Sequence, residues 1–131
     1  MAKKRILIVE DEPSVLKVTK VRLEHEGYDV IAAMDGREAL QRATSELPIH
    51  LILLDIMLPK LNGYEVCRSL RRQPSTTHIP VSIFTASEAQ SQRLADRCVE
   101  VGAADCVKKP FNRKELLEKI HRALREEVGD G

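Results

Sequence analysis

Five short apolar runs, each followed by a longer amphipathic stretch, are the feature that most limits what this chain can fold into. The runs are residues Ile6–Val9, Val30–Ala33, Leu51–Leu54, Val81–Phe84 and, more weakly, Ala104–Val107. Three of them are continuously apolar, as expected for strands that are covered on both faces of a sheet. The alternation of strand and helix therefore predicts an α/β fold with a parallel sheet, right-handed crossovers and helices on both faces.

Residues that start and stop helices mark the segments between the strands. Pro13 suits the first turn of a helix and Gly27 its end, while Gly102 lies where a later helix is expected to stop. The other predicted helices are Gly36–Leu47, Gly63–Arg72, Glu88–Val101 and Asn112–Glu127. We predict one domain over residues 1–131, with its core at about 4–125 and a loose tail at 128–131.

Composition excludes several classes of function. The 21 Lys and Arg residues almost balance the 20 Asp and Glu residues, which argues against a protein that binds the nucleic-acid backbone. Aromatic residues are only 3% of the chain, so stacking platforms for single strands are not expected. The apolar run at Ile6–Val9 is too short for a signal peptide or a membrane span. We predict a cytoplasmic domain that binds neither nucleic acid nor membranes directly.

The three cysteines, Cys67, Cys98 and Cys106, are odd in number and far apart in the sequence. Their spacing matches no metal site and no redox pair. A disulfide framework is therefore not expected.

Polar residues follow the predicted strands at the ends where ligands bind in parallel sheets. Glu10 and Asp11 come after the first strand, Asp55 after the third, Thr85 after the fourth and Lys109 after the fifth. Because the carboxyl ends of parallel strands share one edge, these side chains are expected to converge.

This set of residue types suits phosphoryl transfer. Mg²⁺ prefers oxygen ligands, commonly one or two carboxylates with waters and phosphate oxygens, and Asp11 and Asp55 supply such carboxylates. The hydroxyl of Thr85 and the ammonium of Lys109 are suited to positioning a phosphoryl group and balancing its charge. Asp55 is the candidate nucleophile, since a carboxylate can form an aspartyl-phosphate.

Four motifs together resemble those of the receiver domain of two-component response regulators. The resemblance covers about residues 4–125, and the motifs are Glu10-Asp11-Glu12, Leu53-Leu54-Asp55-Ile56-Met57-Leu58-Pro59, Phe84-Thr85-Ala86 and Lys109-Pro110-Phe111. It implies a flavodoxin-like (βα)5 three-layer sandwich with strand order 2-1-3-4-5. It also implies that Asp55 accepts a phosphoryl group from a phosphohistidine of a sensor kinase or histidine phosphotransfer protein. The reaction implied needs Mg²⁺, for which Mn²⁺ can substitute, and the domain catalyses only its own phosphorylation and dephosphorylation.

The resemblance assigns a role to each site residue. Asp11 and Asp55 are implied metal ligands, together with the backbone carbonyl of Met57 and, through water, Glu10. Thr85 is implied to bond a phosphoryl oxygen, and Lys109 to pair with the phosphoryl group.

Thr85 and residue 106 are the implied switch positions, and here the chain departs from the family. Receivers usually carry Tyr or Phe three residues before the lysine, whereas this chain has Cys106. A thiol cannot fill the volume of an aromatic ring. Cys106 is interpreted as a small buried hydrophobe in preference to a redox sensor.

The resemblance implies that the signal leaves through the fourth helix, the fifth strand and the fifth helix, at about 88–127. This surface is expected to contact a downstream protein or an output domain, or to form a symmetric dimer. The chain is interpreted either as a single-domain regulator or as the excised receiver of a longer protein.

Three other functions fit the residues less well. A small-substrate phosphatase of the haloacid-dehalogenase type would carry a second Asp two residues after Asp55, where this chain has Met57. A flavodoxin-like flavin binder would be repelled by the acidic run that begins at Glu10. A receiver that signals without phosphate is disfavoured by the complete set of Asp11, Asp55, Thr85 and Lys109.

Overall fold

The computed structural model describes residues 3–55, 62–85, 96, 98–108 and 113–124. Its strands are β1 (Arg5–Val9), β2 (Asp29–Ala33), β3 (Leu51–Asp55), β4 (Val81–Thr85) and β5 (Asp105–Lys108). The helices are α1 (Pro13–His25), α2 (Gly36–Ser45), α3 (Gly63–Arg72), α4 (described at residues 96 and 98–101) and α5 (Arg113–Leu124).

The strands form one parallel sheet in the order β2-β1-β3-β4-β5. This order confirms the predicted fold. Val9 of β1 pairs with Leu54 of β3, and Asp55 pairs with Phe84 of β4. The carboxyl ends of the three middle strands are therefore side by side.

Alternate residues of the apolar strands pack into two hydrophobic layers, one on each face of the sheet. Leu7, Ile52 and Ile83 belong to the layer that also contains buried residues of α2, α3 and α4. Ile8 and Leu53 belong to the other layer, with buried residues of α1 and α5. Burial on both faces explains why these strands lack a polar alternation.

Side-chain caps start two of the helices. Asp35 accepts a hydrogen bond from the backbone N–H of Glu38 (2.8 Å), and Glu38 in turn accepts one from the N–H of Met34 (2.8 Å). Asn62 accepts one from the N–H of Glu65 (3.0 Å). These bonds satisfy donors that the first turn of a helix leaves without intrahelical partners.

The predicted element bounds agree closely with the structure, with small shifts. Helix α2 ends at Ser45 instead of the predicted Leu47. Leu47 precedes Pro48, and a residue before proline is disfavoured in the helical region. The predicted start of α4, the first residue and final turn of the predicted fifth helix, and the tail lie outside the described residues.

Candidate functional site

Three carboxylates converge at the carboxyl edge of the sheet. Oxygen atoms of Glu10, Asp11 and Asp55 all lie within 4.8 Å of one another. Glu10 and Asp55 are only 6% and 8% exposed, whereas Asp11 is exposed. The cluster therefore combines two largely buried carboxylates with one that faces solvent.

The strand register explains this convergence. Glu10 directly follows β1, and its backbone N–H donates to the carbonyl of Ala33 (3.0 Å), which extends the pairing with β2 by one residue. Asp55 is the last residue of β3, beside the end of β1. A carboxylate oxygen of Glu10 accepts a hydrogen bond from the backbone N–H of Glu12 (3.3 Å), just before α1 begins. The loop that carries Asp11 is thus held close to the end of the central strand.

The donor set fits a hard divalent cation. Carboxylate oxygens are the protein ligands that Mg²⁺ prefers, and Mg²⁺ commonly retains several waters beside one or two carboxylates. Three carboxylates in such proximity repel one another, and a bound cation offsets that repulsion. Glu10, Asp11 and Asp55 are the residues that would hold the ion.

The other predicted site residues are placed only in part. Thr85 is the last residue of β4, and its backbone pairs with Lys108 of β5. Because β4 also pairs with β3, Thr85 lies at the same edge of the sheet as Asp55. Met57 and Lys109 lie outside the described residues. Their predicted roles, like those of Glu10, Asp11, Asp55 and Thr85, remain predictions.

Cys106, at the predicted switch position, lies in β5 opposite Ile83. Its side chain is half-buried and packs against the hydrophobic layer that contains Cys67 and Cys98. Cys106 is therefore less buried than predicted, because β5 is an edge strand of the sheet.

The three cysteines, Cys67, Cys98 and Cys106, are free thiols in the structure. Burial raises the pKa of the Cys98 thiol, and the neighbouring Cys106 raises it further.

A cavity of about 540 Å³ lies at the opposite, amino edge of the sheet. Its lining includes Lys4, His50 and Pro80, which precede β1, β3 and β4 respectively. This cavity is remote from the carboxylates.

Comparison with known proteins decides the family. The family model for the response regulator receiver domain matches residues 6–121 of this chain. The chain belongs to the response regulator receiver domain family. It is a two-component signalling module and not a conventional enzyme, and receiver domains act with histidine kinases.

Curated relatives are similar over nearly the whole chain. The alkaline phosphatase synthesis transcriptional regulatory protein PhoP of Bacillus subtilis (strain 168) is 43% identical over 122 residues, which are 93% of this chain and 49% of that protein. The probable transcriptional regulator ycf27 of Porphyridium aerugineum is 42% identical over 125 residues, 95% of this chain and 50% of that protein. The chain spans about half the length of these relatives.

Solved receiver structures superpose closely on this receiver. A CheY-like receiver domain protein from Methanospirillum hungatei JF-1 has a TM-score of 0.86 and 33% identity, with 95% of each chain covered. The response regulator TrrA from Thermotoga maritima, in complex with Mg²⁺-BeF, has a TM-score of 0.79 and 33% identity, covering 92% of this chain and 99% of TrrA. Within the part of this receiver that the structure describes, no helix is long and apolar enough to cross a bilayer.

Removing one carboxylate from the cluster is expected to weaken metal binding. Asp11→Asn should raise the dissociation constant for Mg²⁺ about 100-fold, because a neutral amide replaces a charged ligand close to the ion. Titration calorimetry, or competition with a fluorescent chelator, measures the change. The matched control is Asp29→Asn at the amino edge of the sheet, where β2 begins. Equal affinities of wild type and Asp11→Asn would exclude Asp11 as a ligand.

Proposed function

We propose that Asp55 accepts a phosphoryl group from a phosphohistidine of a sensor kinase or histidine phosphotransfer protein in a Mg²⁺-dependent reaction. The observation that carries the proposal is the cluster of Glu10, Asp11 and Asp55, whose carboxylate oxygens lie within 4.8 Å of one another. Membership of the receiver family and the Mg²⁺-BeF complex of TrrA support the same conclusion, since beryllofluoride mimics a phosphoryl group.

Asp55 is the proposed nucleophile. Its carboxylate oxygen attacks phosphorus while the bond from phosphorus to the histidine nitrogen breaks, and the nitrogen retains the bonding electrons. The rate of such a transfer depends mainly on how the protein positions the reacting groups and neutralises the charge on the phosphoryl oxygens. Asp55 is itself largely buried, with 8% of its surface exposed.

The surrounding residues are proposed to bind the metal ion or to contact the phosphoryl group. Asp11 and Asp55 ligate the metal, assisted by the backbone carbonyl of Met57 and by Glu10 through water; Mn²⁺ is proposed to replace Mg²⁺. The Thr85 hydroxyl donates to a phosphoryl oxygen, and the Lys109 ammonium pairs with the phosphoryl charge.

The proposed output is a change on the surface formed by α4, β5 and α5. Phosphorylation adds roughly 1.5–2 negative charges and three acceptor oxygens beside the end of β4. Thr85 ends that strand and pairs with Lys108 of β5, which connects the site to the surface through the backbone. Thr85 and Cys106 are the proposed switch residues, and the surface controls a downstream protein or output domain or forms a symmetric dimer.

The same proposal treats residues 1–131 as one receiver domain with its core at about 4–125. It places the domain in the cytoplasm. It includes no direct contact of this chain with nucleic acid or membrane.

Incubation with acetyl phosphate and Mg²⁺ tests the proposed function. We expect intact-mass spectrometry to show one added phosphoryl group, and peptide mapping after reductive trapping to locate it at Asp55. EDTA should abolish the adduct, because the acidic cluster needs a cation before it can approach an anionic donor. An adduct on another residue, or one formed equally in EDTA, would contradict the proposal.

A further inference from the structure

The cavity of about 540 Å³ at the amino edge of the sheet has no part in the proposed phosphoryl transfer. Its wall consists of residues that precede β1, β3 and β4, residues around the start of β5 and the last turn of α5. A volume of this size lies within the range of pockets that hold small molecules. Among the described residues of the wall, two are cations, two are imidazoles and one is a carboxylate: Lys4, Arg122, His50, His78 and Asp105.

Two hydrogen bonds to the backbone of β1 fix the position of His50. Its N–H donates to the carbonyl of Arg5 (2.9 Å), and its Nδ1 accepts from the N–H of Arg5 (2.9 Å). A ring nitrogen that accepts a hydrogen bond carries no proton, so the proton of the imidazole is on Nε2. The group that His50 can offer to a ligand in the cavity is therefore an N–H donor.

The negative groups of the wall are offset by cations. Asp105 forms an ion pair with Lys119 (3.2 Å). The carboxyl end of α5 is the negative end of the helix dipole, and there Nζ of Lys4 donates to the carbonyl of Leu124 (3.4 Å). An ammonium has three N–H donors, so this bond alone does not exhaust its capacity. Arg122, in the last turn of the same helix, adds a further positive charge, and the wall therefore favours an anion.

We propose that this cavity binds a small phosphate-bearing anion through the ammonium of Lys4, the guanidinium of Arg122 and the Nε2–H of His50. The three groups come from separate elements, directly before β1, at the end of α5 and directly before β3. A phosphoryl group has oxygens around a tetrahedral centre and accepts from donors in several directions, whereas a carboxylate is planar and matches a planar fork of donors. The inference does not depend on phosphorylation of Asp55.

A bound phosphate would connect the end of α5 to the amino edge of the sheet. Arg122 belongs to α5, part of the proposed output surface, whereas Lys4 and His50 belong to the segments that enter β1 and β3. A ligand that binds only the folded chain stabilises it, so saturating ligand should also raise the midpoint of urea unfolding.

Titration with glucose 6-phosphate and with inorganic phosphate in EDTA tests the proposal. EDTA keeps divalent cations out of the acidic cluster, so that edge of the sheet does not attract anions. We expect saturable shifts of the backbone amide signals in NMR spectra at residues 4–5, 50 and 104–105, and none with glucose. Equal affinity for the two phosphates would support recognition of the phosphoryl group alone, and tighter binding of the sugar phosphate would support a cavity that also holds the organic part. Shifts that do not saturate, that glucose also produces, or that cluster at the acidic edge would overturn the proposal.

Matched variants separate specific binding from the effect of net charge. Lys4→Gln and Arg122→Gln should each raise the dissociation constant about 10-fold, the loss expected for one charge-assisted hydrogen bond. His50→Asn should also raise it, because asparagine keeps an acceptor near the position of Nδ1 and has no donor at that of Nε2. The control is Arg68→Gln, the same change of charge in α3 on the other face of the sheet, which should bind like the wild type. Equal losses in Arg68→Gln and Arg122→Gln would contradict a specific site.

Asp105→Asn tests the same site in the opposite direction. Oδ1 of Asp105 accepts from the backbone N–H of Cys106 (2.8 Å), and asparagine can keep that bond. The substitution removes a negative charge from the wall and releases Lys119 from its ion pair. We expect the dissociation constant to fall about threefold, a gain that damage to the fold would not produce. An unchanged or higher dissociation constant would overturn the proposal.

Discussion

Asp55→Asn is expected to reduce phosphorylation by acetyl phosphate and Mg²⁺ at least about 100-fold, to the background level, since an amide oxygen is a poor nucleophile. The substitution preserves the size of the side chain and its ability to accept hydrogen bonds. It also removes one of three carboxylates that lie within 4.8 Å of one another. The fold is therefore expected to survive, and intact-mass spectrometry with a denaturant titration measures both properties on the same sample.

The control for this variant is Asp29→Asn, which makes the same chemical change at the amino edge of the sheet. It should be phosphorylated like the wild type. An Asp55→Asn protein that still acquires a stable adduct would show that another residue accepts the phosphoryl group. A variant whose unfolding midpoint collapses would instead show that Asp55 acts mainly in stability, and the proposed role would lose this support.

Ile52→Ala is expected to lower the free energy of unfolding by about 2–5 kcal/mol, the range for truncating a large aliphatic side chain in a well-packed core. Ile52 is fully buried in β3 and pairs with Leu7 and Val81 on its two sides. The neighbouring strands leave little freedom for the cavity to collapse. Urea unfolding followed by circular dichroism measures the change.

Val18→Ala is the corresponding control on the surface. Val18 is 50% exposed on α1, so its truncation should change the free energy of unfolding by less than about 0.5 kcal/mol. Similar losses in the two variants would mean that the centre of β3 is not the rigid core of the sheet. That outcome would weaken the argument that β3 holds Asp55 in a fixed position.

Local residue patterns were sufficient to predict most of the secondary structure. The apolar run at Ile6–Val9 and the helix at Gly63–Arg72 were predicted from residue patterns and agree with β1 and α3 in the structure. A strand that is buried on both faces can be recognised in a sequence as a continuous apolar run, because residues on both of its faces pack in the core. The order of the strands came from the family resemblance, because periodicity alone does not specify which strands are neighbours.

The candidate site was predictable for a different reason. Parallel strands place their carboxyl ends at one edge, so Asp11 and Asp55 could be expected together before any coordinates were known. The packing of Cys106 against the hydrophobic layer that contains Cys98 had no such rule behind it. It depends on the turn after α4 and on the pairing of β5 with β4.

The sequence by itself determined the alternating strands and helices, the family, and the edge of the sheet at which the acidic residues gather, because these follow from local periodicity and from the direction of parallel strands. Only the tertiary structure decided that Glu10 joins the two aspartates within 4.8 Å, and that Cys67, Cys98 and Cys106 border one hydrophobic layer. Both contacts depend on how separate elements pack against one sheet. Distances of that kind are properties of the packed chain and not of any single segment.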